Sequence, residues 1–428
     1  MNDMSSGVNP TELLCTSVAG CKRHLANASA QVRAAVVAEL ASLLRRDQAA
    51  ILSANALDLE AAAQSGLSAS LTDRLMLNPA RLQAMAADLE RVAQLEDPIG
   101  LELERRALGP GMMLSRRRVP IGTLGVIYEA RPNVTTDIAA LAIKSGNALV
   151  LRGGRETAHS NRALLACVHA ALDSQGLPTT LVQALPAEQR SEVGELLAQD
   201  RHIDLLIPRG GQALQDYCRE HARMAVVYGG IGICHLYWAP SADLNRALPV
   251  VVNAKVQRPS VCNALDTLLI HADAAEKVLP ALVAEMIPLG VRFVADERAL
   301  PLLAEQFAAQ VRAAEAGDFD REWLSLVLGL KVVDSLDQAI EHIALHSTDH
   351  SDGILTEDAE EAARFLNEVD SAAVYWNAST RFTDGSAFGL GAEVAVSTQR
   401  LHARGPMALE ALTTYKWVVE GNYSVRKG

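Results

Sequence analysis

The chain has 428 residues, 49% of them hydrophobic, and a formal net charge of −12. That length exceeds what one compact core supports, so two or more lobes are expected, and the acidic balance argues against a nucleic-acid partner. Aromatic residues make up only 4%, so the cores must be built from Leu, Val, Ile and Ala, which favours helices packed on sheets over a β-sandwich.

No apolar run approaches the roughly twenty residues that span a bilayer. The opening MNDMSSGVNPTELL has no basic segment followed by an apolar one, so it does not read as a secretory signal. The six cysteines, Cys15, Cys21, Cys167, Cys218, Cys234 and Cys262, form no CxxC pair. A reducing cytoplasm is the natural inference, with each cysteine by default a small buried hydrophobe.

In chain order, Leu13 to Ala93 reads as helices, with Leu40, Leu43 and Leu44 at helical spacing. In LTDRLML, Thr72 is the expected N-cap and Asp73 suits the first turn. Asp97-Pro98-Ile99-Gly100 closes this block. The basic run Arg116-Arg117-Arg118 reads as a solvated or interfacial turn. From Gly122 short apolar strands alternate with helices. The strands are Leu124–Tyr128, Ala148–Leu151, Leu181–Leu185, Ile203–Ile207, Ala225–Tyr228 and Ile233–Trp238. Helices fall at Thr136–Ser145, Asn161–Ser174 and Ala213–Arg223. A second series has strands Thr267–His271, Val291–Ala295, Leu326–Val333, Gly353–Thr356 and Ala372–Trp376. Such alternation predicts parallel sheets covered on both faces.

Several segments could carry chemistry. In NAKVQRPSVCNALDTLLIH, Cys262 follows Arg258, Pro259 and Ser260 in a loop between helix and strand. A neighbouring arginine favours the thiolate, though the pattern equally suits a buried structural cysteine. In YEARPNVTTD, the Asn133 amide could donate to a developing oxyanion or simply cap a helix beginning near Thr135. LVLRGGRETAHSN and DLLIPRGGQAL are each strand, glycine turn and helix. In both, a helix N-terminus could offer N–H groups to phosphate, and Arg152, Arg155 and Arg209 favour an anion. Neither matches GxGxxG, and plain αβ turns give the same pattern. VYGGIGICH reads as close backbone packing beneath a site. His342, His346 and His350 recur at helical spacing without an acidic third ligand, so a solvated helix end and no metal are expected.

Taken together, GVIYEARPNVTTD, KSGNALVLRGGRE, QRPSVCNA, HSDGILTED and HARGPMALEALTTYKWV resemble the aldehyde dehydrogenase superfamily, and more closely its γ-glutamyl phosphate reductase branch. They run in family order from about residue 124 to 420, and the helical block with LTDRLML also fits. The resemblance implies an α/β fold. A Rossmann-type NADPH-binding domain would span 1–254, interrupted by a flap segment near 111–123. A catalytic domain would span 255–387, and 388–428 would return to the cofactor domain and form an oligomerisation tail.

It also implies roles. Cys262 matches the nucleophile and Asn133 the oxyanion-hole amide, which the Cys262 N–H would complete. Arg152 matches a lysine beside the adenosine ribose, with Gly153, Gly154 and Arg155 in the same turn. Pro208, Arg209, Gly210, Gly211 and Gln212 match the turn against the pyrophosphate, and Glu322 a glutamate that holds the nicotinamide ribose. Arg131 and Arg258 are the candidates for the substrate's anionic groups. Ser260 stands where the branch usually has glycine, and Asp266 where it usually has glutamate.

Hydrolytic relatives carry a glutamate where this chain has Val227, so water should not be activated here. Arg155 replaces an acid that would repel a 2′-phosphate, which favours NADPH. The implied reaction is NADPH-dependent reduction of L-glutamyl 5-phosphate to glutamate 5-semialdehyde through a cysteine thioester, the second step of proline biosynthesis. A homo-oligomer and a glutamate 5-kinase are the implied partners. The rivals are a hydrolytic aldehyde dehydrogenase and a non-catalytic chain that keeps the fold.

Overall fold

A computed structural model describes residues 9–109, 111–187 and 191–426. The first eight residues of MNDMSSGVNPTELL lie outside them. The chain divides into two compact units. The first runs to Tyr228 and adds Gly389–Ala395 and the segment from Met407 on; the second is Gly229–Phe388 with Val396–Pro406.

In the first unit the helical block comprises Pro10–Cys21, Arg23–Asn27, Ala30–Arg46, Gln48–Gln64, Ala69–Leu75 and Pro79–Gln94. Ala30–Arg46 shows why these residues make helices. Val36, Val37, Leu40, Leu43 and Leu44 repeat at three- and four-residue spacing and all are buried. Ser29 caps this helix by accepting from Val32 N. The cap expected at Thr72 is corrected: the helix starts earlier, Ser68 caps it, and the Thr72 hydroxyl donates back to the Ser68 carbonyl at 3.0 Å.

Five parallel strands form the first sheet, in the order Val182–Ala184, Ala148–Gly153, Thr123–Tyr128, Leu205–Arg209, Ala225–Val226. Every residue of Thr123–Tyr128 and Ala148–Gly153 is buried, as expected for strands covered on both faces. Thr123–Tyr128 comes first in sequence and has later strands on both sides. Strand order therefore reverses there, and the crevice beyond its C-terminal end is where such sheets bind ligands.

A separate antiparallel sheet joins Glu102–Gly109, Met112–Pro120 and Thr413–Gly421. The arginine run is not a turn but the middle of its central strand. Arg116 faces Glu104 and lies over Tyr415 and Trp417, Arg117 pairs with Glu102, and Arg118 pairs with Glu410. Cross-strand pairing, invisible in the run itself, makes a strand of it.

The second unit holds seven parallel strands, in the order Val311–Ala313, Arg292–Ala295, Val327–Val333, Leu265–His271, Cys234–Trp238, Ser351–Leu355, Ala373–Trp376. Leu236, Trp238, Leu268, Ile270, Phe293 and Leu330 are all buried in its core. Cys234–Trp238 pairs with Leu265–His271 in this sheet. The unit consequently begins at Gly229, whereas the sequence reading places the boundary at 255.

Helix Ala158–Ser174 depends on a distant cap. Asp58 accepts from the backbone N–H of His159 at 3.1 Å and of Ser160 at 2.8 Å, and from the Ser160 hydroxyl at 2.6 Å. Asp58→Ala is expected to lower stability by about 2 kcal/mol, since buried donors lose their acceptor. Urea denaturation checks this; an unchanged midpoint would show that the cap is dispensable.

Candidate active site

The first unit carries Asn133 and the two glycine turns expected to meet a cofactor. Helix Asn133–Lys144 begins at Asn133, two residues before the expected start, with Pro132 at the cap position. Asn133 does not cap it. Its Nδ2 instead donates to Asp137 Oδ2 at 2.8 Å, one helical turn on. Burial pushes the Asp137 carboxyl up to about 6, against the opposing pull of the Asn133 bond and Arg209. The amide is thus oriented by a side chain on its own helix. Just before it, Ala130 adopts φ +44°, and its N–H donates to Glu156 Oε1 at 2.6 Å. Glu156 follows the glycine turn, so the loops after two adjacent strands hold each other.

The two glycine turns are not equivalent. In the first, Arg152 is buried and donates to the Gly153 carbonyl at 3.1 Å, while Arg155 is exposed. The expectation that this helix N-terminus offers N–H groups to phosphate fails, because Asp58 already occupies those of His159 and Ser160. In the second, Pro208 and Arg209 end a strand and helix Gln212–His221 follows at once. Glu129 Oε2 accepts from Gly211 N at 3.2 Å, and a side chain on Gly210 would meet that carboxylate. Gln212 and Ala213 lie in the first helical turn, where an N–H has no partner within the helix. The N–H groups of this first helical turn could receive a phosphate beside Glu129, and the first glycine turn carries Arg152 and Arg155.

The second unit carries the thiol. Cys262 is partly exposed, in contrast to the buried Cys15, Cys167, Cys218 and Cys234. Its loop precedes strand Leu265–His271. The Cys262 carbonyl lies so close to Gly232 that a Cβ there would sit 1.5 Å from the oxygen. Cys234 Sγ donates to the same carbonyl at 3.2 Å. Burial pushes the Cys234 thiol well up, so it stays protonated and can donate. Gly232 N donates to Glu322 Oε1 at 3.0 Å, which brings Glu322 beside this loop. Gly232 and Cys234 of VYGGIGICH thus pack against the Cys262 loop, and Val227 is buried.

Behind the loop, Lys255 Nζ lies 3.4 Å from Asp266 Oδ1, which also accepts from Trp323 N at 3.2 Å. Burial pushes the Asp266 carboxyl up to about 6, with Lys255 opposing. This pair ties the helix before Cys262 and the strand after it to the Glu322 segment. The histidine reading is corrected. His342 and His350 are buried, and burial drives the His342 imidazole down to about 2. His235 and His346 pack their rings against His342. Among the described residues no metal-holding group of His, Cys, Asp or Glu occurs, and no helix is long and apolar enough to cross a membrane.

Residues 14–314 match the model of the aldehyde dehydrogenase family. The gamma-glutamyl phosphate reductase of Psychromonas ingrahamii is 53% identical over 403 residues, covering 94% of this chain and 96% of that one. This chain belongs to the aldehyde dehydrogenase family, in its γ-glutamyl phosphate reductase branch. The crystal structure of gamma-glutamyl phosphate reductase from Thermotoga maritima is 41% identical, with TM-score 0.94, covering 98% of this chain and all of that one. The fold is that of an α/β aldehyde dehydrogenase with parallel sheets. Glyceraldehyde-3-phosphate dehydrogenase GapN from Methanocaldococcus jannaschii, solved with NADP, shares the fold at 15% identity, with TM-score 0.70, covering 96% of this chain and 94% of that one.

Sequence reasoning missed Asp137, Glu156, Gly232, Cys234 and Lys255 as supports of the site. Only the short helical spacing of Asn133 and Asp137 was visible in the chain. Two outcomes test the supports. Gly232→Ala should cost about 1–3 kcal/mol and change the rate at which iodoacetamide alkylates Cys262, because the carbonyl must move. Lys255→Met should cost about 3–5 kcal/mol in chemical denaturation, since it strands a buried carboxylate; a loss under about 1 kcal/mol would show the pair to be weakly held.

Proposed function

We propose that this chain reduces L-glutamyl 5-phosphate to L-glutamate 5-semialdehyde and phosphate, with NADPH as reductant, as the second step of proline biosynthesis. One observation carries the reading: a partly exposed Cys262, its carbonyl anchored by Gly232 and Cys234, in a chain that has buried Val227 where hydrolytic relatives carry a glutamate.

The Cys262 thiolate attacks the acyl carbon. The C–O bond to phosphate breaks, and the electron pair leaves with phosphate. The Asn133 amide, oriented by Asp137, and the Cys262 N–H stabilise the oxyanion. A thioester remains on Cys262. When bound, the reduced nicotinamide supplies the hydride that this thioester needs. Collapse of the thiohemiacetal releases the aldehyde and restores the thiolate. With valine at position 227 no side chain there activates water, so the acyl group is kept for hydride or, in reverse, for phosphate.

Arg152, Gly153, Gly154 and Arg155 would hold the adenosine end of the cofactor, Pro208 to Gln212 the pyrophosphate, and Glu322 the nicotinamide ribose. The exposed Arg155 gives a 2′-phosphate a cationic neighbour. Arg131 and Arg258 would receive the substrate's anionic groups. The three-stranded antiparallel sheet, with exposed Tyr415, Trp417 and Val419, suits assembly into a homo-oligomer. Six free thiols suit the cytoplasm, and a glutamate 5-kinase would supply the unstable acyl phosphate.

Cys262→Ala should abolish turnover while NADPH still binds, read by fluorescence titration; substantial residual reductase activity would remove the thioester. In the reverse direction, semialdehyde with NADP⁺ should react only when inorganic phosphate is present. Reaction without phosphate would mean that water reaches the thioester and would favour the hydrolytic rival. Arg155→Glu should lower the preference for NADPH over NADH by about tenfold or more.

A further inference from the structure

Two arginines stand beside the Cys262 loop, and among the described residues neither makes an ion pair with a carboxylate. Arg258 is exposed in the turn that precedes the cysteine, and among the described residues it makes no hydrogen bond or ion pair. Arg381 lies far along the chain, in the short 3₁₀ turn Thr380–Phe382. That turn is bolted to Asn263, the residue after Cys262. Thr380 Oγ1 donates to the Asn263 carbonyl at 2.7 Å, and Asn263 Nδ2 donates to the Thr383 carbonyl at 2.8 Å and the Arg381 carbonyl at 3.5 Å. On the other side of the cysteine, Gln257 Oε1 accepts from Arg381 Nε at 3.1 Å.

Arg381 is therefore held from both ends of the Cys262 loop, through backbone and Nε, and its terminal Nη groups make no hydrogen bond among the described residues. Burial lowers its proton affinity and the charge of Arg258 lowers it further, while Asp384, Cys262 and Cys234 act in the opposite sense. These groups thus feel one another. Keeping two unpaired guanidinium groups together costs energy unless an anion arrives to use them.

We propose that Arg258 and Arg381 form the phosphate subsite beside Cys262, a two-arginine clamp on the leaving phosphate. The assignment rests on the acyl-phosphate reading above and adds Arg381 to it. The substrate carries two anionic groups, and their distances from the reacting carbon decide between them. The phosphate is bonded to the acyl carbon that Cys262 attacks. The α-carboxylate lies beyond three intervening carbons. Side chains tied to both ends of the cysteine loop are placed for the nearer group. The planar guanidinium fork also matches phosphate oxygens. As sulfur bonds to the acyl carbon and the C–O bond breaks, the electron pair moves onto phosphate, where the clamp neutralises it. In reverse, the same clamp orients a phosphate oxygen toward the thioester carbon as the thiolate leaves.

The test uses Arg381→Gln, Arg258→Gln and Arg381→Lys in the full chain. In the reverse reaction, each glutamine variant should raise KM for inorganic phosphate about tenfold or more, while KM for semialdehyde stays within about twofold. Arg381→Lys should recover part of that loss. Without turnover, inorganic phosphate should slow iodoacetamide alkylation of Cys262 in the unmodified chain and do so less in each glutamine variant. An unchanged phosphate KM together with unchanged protection overturns the clamp. A rise confined to KM for semialdehyde also overturns it and gives the pair to the α-carboxylate. Should Arg381→Gln fail to fold, the exposed Arg258→Gln still decides. If the unmodified chain itself needs no phosphate, the acyl-phosphate reading fails first, which separates the two failures.

Discussion

Parallel strands all begin on one edge of their sheet, and the thiol side of this molecule follows from that constraint. Gly232 precedes one strand of the second unit, Cys262 the next, Glu322 a third and Thr348 a fourth. Residues scattered over more than a hundred positions therefore share one rim. The contact that matters most there is between backbones. Only a glycine at 232 lets the Cys262 carbonyl approach as it does.

That rim is stiffened from below by buried polar groups that satisfy one another. Thr348 accepts from Ile233 N and donates to the Ile231 carbonyl, which fixes the segment under the cysteine. Asp352, fully buried, accepts from His235 N and from the hydroxyls of Ser347 and Ser371, and faces His235 Nδ1. A carboxylate with that many partners can remain in the interior, and it locks its neighbours in return. His342 and His350 belong to this interior, which is why burial rather than solvent governs His342.

The first unit solves a different problem. Its sheet reverses strand order at Thr123–Tyr128, the kind of position where such sheets bind ligands. Two superficially alike glycine turns follow these strands, yet at the Gly211 turn a side chain, Glu129, takes only the Gly211 N–H and none in the first helical turn. The other is closed by Asp58 from the helical block. A strand–glycine–helix pattern states that a helix starts there; it cannot state whether a distant carboxylate has already claimed the N–H groups.

Much of the architecture was legible in the chain. Apolar strands alternating with helices specified parallel sheets, because period and apolarity act locally through burial on both faces. Cys262, Asn133 and the two glycine turns stood out because loop, strand and helix signals surround them within a dozen residues. The arginine run misled because its partners come from elsewhere, Glu102 and Glu104 from another strand and Glu410 from a 3₁₀ turn, and Thr72 misled because Ser68 offered an earlier cap. What the tertiary structure alone decided was neighbourhood. Arg381 beside Cys262, Cys234 on its carbonyl, Asp58 on a far helix and Lys255 on Asp266 all depend on chain segments brought together by folding. Hydrogen bonds and charge contacts act over a few ångströms of space, not along the sequence, so the amino-acid order determined which groups exist and the fold determined which of them meet.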